Sequence, residues 1–128
     1  MLRKVIFSIL LIFSLFEIAA QRSEFDYYKV IGTYIDKDSH KTLEKVHESL
    51  QHGSIEFIGQ RIFVKGQGKE IMYDIVETDH QKDGLVTHVL WNTGETLLMI
   101  WKDNGDKIAL VTTEPDEKQR LMVIKYHL

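Results

Sequence analysis

The sequence predicts a mainly β domain: an antiparallel meander of seven or eight strands forming a curved sheet or small barrel, with one short helix at about residues 40–51. Three observations predict it. From Ser54 onwards, short runs rich in Val, Ile, Leu, Thr, Tyr and Trp are separated by turn dipeptides such as Thr93-Gly94 and Asn104-Gly105. The gaps between runs are too short for the crossovers that parallel strands need. The central runs are apolar on both alternating faces, unlike a sheet with one side in water. The alternative architecture is an open α+β sheet with the helix across one face.

The elements follow in order. Residues 27–35 are aromatic and β-branched and form the first strand. Asp36 to Ser39 is a turn, with Asp38 and Ser39 as candidate helix caps. Leu43, Val46 and Leu50 recur at i, i+3 and i+7, one face of a helix, and Gly53 is its left-handed stop. Residues 55–58 and 61–65 flank Gly59-Gln60, as a hairpin or as one strand bent at Gly59. Further strands are read at 71–75, 86–91, 97–101, 108–113 and 121–126, with the sole proline, Pro115, in the last turn.

Turn geometry assigns faces. Two-residue turns at Thr93-Gly94 and Asn104-Gly105 set Leu90 opposite Leu97, His88 opposite Met99 and Val86 opposite Trp101. They also set Met99 opposite Leu110 and Trp101 opposite Ile108. The other face carries Val89, Trp91, Leu98, Ile100, Ala109 and Val111. Both faces are therefore expected to be covered: by the helix, by the opposite wall of a curled sheet, or by another subunit.

The amino terminus carries a separate message. Arg3 and Lys4 precede an apolar stretch, residues 5–16, interrupted only by Ser8 and Ser14, and Ala19-Ala20 follows. That order reads as a secretory signal peptide over residues 1–20, leaving residues 21–128 as one exported domain, periplasmic or secreted. The stretch is too short to span a bilayer, which takes roughly 20 residues, and no membrane span is expected after cleavage. Removing Arg3, Lys4 and Glu17 from the 16 basic and 19 acidic residues leaves 14 against 18, a net −4. A mildly acidic domain argues against a nucleic-acid partner. Absence of cysteine excludes disulfides, a thiol nucleophile and a cysteine metal cage.

Gly32-Thr33-Tyr34 in the first strand, followed by a meander, resembles the Gly-x-Trp signature of the lipocalin-like superfamily. A helix after the first strand is similar to the fatty-acid-binding branch. The resemblance covers the exported domain only as a pattern of elements. Tyr34 replaces Trp, the chain is shorter than typical secreted lipocalins and lacks their disulfides, and Arg120 lies near the place of the family's closing arginine. The resemblance implies an up-and-down barrel with a small apolar ligand site inside, unless its own side chains fill it.

Candidate ligand-binding residues are Tyr34, Tyr73, His88, Leu90, Met99 and Trp101. His88, set among apolar neighbours, is either a polar anchor in a ligand pocket or a core histidine with a backbone or tyrosine partner. The six histidines are scattered; His40 and His47 are two helical turns apart and could not share one ion, so no metal site and no cofactor are expected. No nucleophile motif and no paired carboxylates appear, and no enzyme is expected. The function expected is an exported, non-catalytic binding module for a small apolar or amphipathic ligand. The alternative is a protein-interaction or inhibitor domain whose apolar sheet face meets a protein partner or a second copy in a homodimer. A cavity of some 300 Å³ or more, lined by one face, favours the first.

Overall fold

A computed structural model describes residues 23–102 and 104–128; the segment read as a signal peptide lies outside the described residues. The strands are β1 (Glu24–Asp36), β2 (Thr42–Ile58), β3 (Arg61–Gly66), β4 (Lys69–His80), β5 (Leu85–Asn92), β6 (Glu95–Lys102), β7 (Lys107–Thr112) and β8 (Arg120–His127). Each pairs antiparallel with the next and β1 pairs with β8, so the sheet closes into an eight-stranded barrel. The open α+β alternative is not what the chain forms.

The predicted helix at 40–51 is instead the first half of β2, and the error has a specific cause. Three register shifts interrupt the β1–β2 pairing, and at each one β2 carries an extra residue. Val46 stands between the pairs Gly32–His47 and Thr33–Lys45, and Leu43 between Tyr34–Glu44 and Ile35–Thr42. A bulge breaks the two-residue alternation of a strand. The spacing of three between Leu43 and Val46 is therefore the spacing of two bulged residues, and Leu50, paired with Lys29, lies on the same strand rather than one helical turn further on. Leu50 is 81% exposed, so no packed apolar stripe exists. The candidate caps also do other work. Asp36 Oδ2 accepts from the Asp38 and Ser39 amides, at 3.1 and 2.8 Å, and so builds the β1–β2 turn.

The face assignment of β5–β7 holds residue by residue. Leu90 pairs with Leu97, His88 with Met99, Val86 with Trp101, Met99 with Leu110 and Trp101 with Ile108. Thr93 and Gly94 both take positive φ, as a tight hairpin turn requires. The β6–β7 connection keeps the predicted register but is wider, with the Gly105 amide donating to the Lys102 carbonyl at 3.0 Å. The assigned inner face is the barrel interior. Ile55, Ile62, Leu90, Met99 and Ile108 are completely buried there, each contributing about 1.5–3 kcal/mol of apolar burial.

The expectation that the second face is covered too is not met within the chain. Among the described residues nothing lies outside the barrel wall. Val89, Leu98, Ile100, Ala109 and Val111 are half-buried by their neighbours on the same surface, and Trp91 is 44% exposed.

Candidate functional site

Two chemically different regions fill the barrel. One is an aromatic plug. Phe25, Phe57 and Trp101 meet pairwise with ring centroids 5.5–5.8 Å apart. The His88 ring stacks on Trp101 at 6.1 Å. The Trp101 indole nitrogen, which can only donate, donates to His88 Nε2 at 2.9 Å. His88 therefore carries its proton on Nδ1 and donates it to Thr78 Oγ1 at 2.8 Å. Both ring nitrogens are satisfied inside the wall. Burial, assisted by repulsion from His80, holds the His88 pKa below its ordinary value. The arrangement keeps a neutral imidazole as a structural cross-link.

The other region is an opening. Pairing between β2 and β3 begins only at Gly53–Gly66, so among the described residues β1 is the sole strand partner of residues 42–52 of β2. Between this free edge and the β3–β4 turn lies a pocket of about 340 Å³. Val30, Val64, Ile71, Met122, Ile124 and Tyr126 supply much of its wall; His47, Gln51, Gln67 and Lys69 are its polar members. Among the described residues no carboxylate lines it. A second hollow, about 330 Å³ between Gly94–Thr96 and Thr112–Pro115, is lined by small polar residues and Glu95 and Glu114, and lacks an apolar wall.

Tyr27 forms part of the pocket wall through a local device. Gly53 and Gly66 face each other across β2 and β3. Neither has a left-handed backbone, so the predicted stop role of Gly53 is replaced by a different one. A β-carbon at either position would overlap the Tyr27 hydroxyl. The two glycines thus leave a notch through which that hydroxyl reaches the Lys65 carbonyl at 2.8 Å. Burial raises the pKa of Tyr27, opposed by a hydrogen bond from Gln51, and raises those of Tyr73 and Tyr126 as well. All three phenols stay neutral at ordinary pH.

The six sequence candidates lie elsewhere. His88 and Trp101 belong to the plug, Leu90 and Met99 to the packed centre, and Tyr73 to the buried wall beside Ile62. Tyr34 sits near the end of β1 with the Arg120 guanidinium 3.8 Å over its ring. Arg120 Nε also donates to Asp116 Oδ2 at 2.8 Å, which ties the β7–β8 turn to β1. None of the six lines the 340 Å³ pocket. Its residues come from β1, β2, β3, β4 and β8, joined only because β1 closes on β8. The available signal was the glycine pair, Gly53 and Gly66, on either side of a predicted hairpin. Among the described residues no group of three His, Asp or Glu could hold a metal ion.

The fold and site define a class: a small antiparallel barrel, packed at one region and open at another through an apolar pocket with a polar rim. Compared with protein-family models, with curated proteins and with solved structures, the chain matches none.

Proposed function

We propose that this chain is an exported, non-catalytic binding protein, lipocalin-like in architecture, for a small amphipathic ligand held in the pocket between β2 and the β3–β4 turn. The observation that carries the reading is that pocket's volume of about 340 Å³ with apolar walls and a few polar members, the combination typical of small-molecule sites. At about 30 Å³ per small group, it takes on the order of a dozen heavy atoms. Lys69, with no carboxylate among the described lining residues, favours a neutral or anionic head group at the rim. The up-and-down barrel and the Arg120–Tyr34 stack are consistent with the superfamily resemblance. Export rests on residues 1–20. The interior is apolar, and ion pairs such as Lys29–Glu48 and Arg61–Asp74 lie on the outside. That is the inverse of a lipid-spanning barrel, which is polar inside, and it supports a barrel wall that faces water.

Calorimetric titration with dodecanoate and dodecanol tests the proposal. Both should bind, and Val46→Glu, at an exposed bulge that lines the mouth, should weaken both at least about tenfold, or 1.4 kcal/mol. Lys69→Glu should weaken dodecanoate alone. Failure of both probes to bind, or unchanged binding by Val46→Glu, would refute the assignment.

A further inference from the structure

Burial divides the lining of the apolar pocket into a mouth and an inner end. Val46 and Ile71 are exposed, whereas Tyr27, Val30, Val64 and Tyr126 are all buried. Two phenol hydroxyls belong to that inner end, and they differ. Tyr27 donates to the Lys65 carbonyl at 2.8 Å. Tyr126 sets its ring edge-on against Tyr27, with centroids 4.9 Å apart, but among the described residues its hydroxyl makes no hydrogen bond. Nor is that hydroxyl sealed in protein: among the described residues the one sealed side-chain atom without a partner is His127 Nε2. Tyr126, only 9% exposed, thus keeps its hydroxyl open to the pocket that it lines.

Buried polar groups are as a rule hydrogen-bonded, and an exception asks for a partner. Burial, and then the neighbouring phenols of Tyr73 and Tyr27, hold the Tyr126 pKa well above the ordinary phenol range. The group is a neutral donor and acceptor. Val30, Val64 and Ile124 around it are apolar, and the lysine of the lining, Lys69, is exposed at the mouth. An anion at the inner end would lose its water with no charge to offset the loss; a neutral oxygen needs only the one hydrogen bond. We infer that Tyr126 determines the specificity of the pocket's inner end, and that the ligand is an acyl chain bearing a neutral hydroxyl or keto oxygen at the end remote from its head group. The phenol donates to that oxygen while the head group stays at the mouth with Lys69. This assignment rests on the ligand reading of the same pocket and narrows it, because a plain saturated chain would fill the space and leave the Tyr126 hydroxyl without a partner.

The test is calorimetric titration of the native chain and of Tyr126→Phe with dodecanoate and with 12-hydroxydodecanoate. Comparing two ligands across two proteins cancels the cost of drying the added hydroxyl. Tyr126→Phe should bind 12-hydroxydodecanoate about threefold to tenfold more weakly than the native chain does, the range of one hydrogen bond. It should bind dodecanoate as tightly as the native chain, or more tightly. In the native chain itself, the Tyr126 hydroxyl proton should shift downfield in NMR spectra with 12-hydroxydodecanoate and not with dodecanoate, a readout independent of the variant. Equal effects of Tyr126→Phe on the two ligands, equal proton shifts with both, or binding of dodecanoate alone would overturn the assignment and leave the pocket reading standing. No binding of either ligand to the native chain would overturn both.

Discussion

Replacing Gly66 by alanine tests the notch that holds Tyr27. The new β-carbon would overlap the Tyr27 hydroxyl, while its next neighbours, Gln51 Nε2 and the Tyr27 ring carbon Cζ, lie 3.3 and 3.4 Å away. Only the hydroxyl has to leave. Its withdrawal removes the hydrogen bond to the Lys65 carbonyl, worth about 0.5–1.5 kcal/mol. It also pushes a buried ring into a packed core, at a cost of about 1–3 kcal/mol. Restricting the unfolded chain returns about 0.4–1 kcal/mol. The net expectation is a loss of about 1–3 kcal/mol. In a Tyr27→Phe background the overlap is gone, and Gly66→Ala should be neutral or slightly stabilising. Urea unfolding of the four proteins, compared at constant m-value, gives the coupling directly. Equal cost in the two backgrounds, within about 0.5 kcal/mol, would refute the notch.

Two further outcomes are expected. The folded-state pKa of His88 is depressed by burial and by His80, so the folded chain takes up that proton less readily than the unfolded one. Its contribution is full above the ordinary histidine pKa, about 6.5, and is lost as pH falls below it; urea midpoints between pH 8 and pH 5 should drop less in His88→Gln than in the native chain, and equal drops would contradict the buried neutral imidazole. Leu50→Lys should change stability by less than about 0.5 kcal/mol, because Leu50 points into water from a strand; a loss of about 2 kcal/mol or more, as for a leucine packed from a helix onto the sheet, would restore the helical reading of 40–51.

What could be read from the chain tracks how local the determinant is. The Thr93-Gly94 and Asn104-Gly105 turns each specify their own hairpin, and from them the pairing of β5, β6 and β7 follows without knowledge of anything distant. Residues 42–52 carry no such local signal, because bulges on β2 hide a strand behind a helical period and only the partner β1 reveals them. Weak local preference in a short segment yields to a long neighbouring edge. The alternation alone sets His88 among apolar residues, while its partners, Thr78 and Trp101, come from β4 and β6 and are not specified by it. The pocket was invisible for a topological reason. Tyr27, Val64, Ile71 and Ile124 share a wall only through the closure of β1 on β8, and no hairpin in the sequence announces it.

That closure bears on how the molecule is made. Its seam joins the first strand of the described chain to the last, across nearly the whole length of the domain. Such distant pairing is slow, since the chain entropy of a long loop must be lost before any contact rewards it. Removal of β8 would leave β1 and β7 each with a raw margin and the oily side of the sheet open to water, a sticky ribbon where the ring should be.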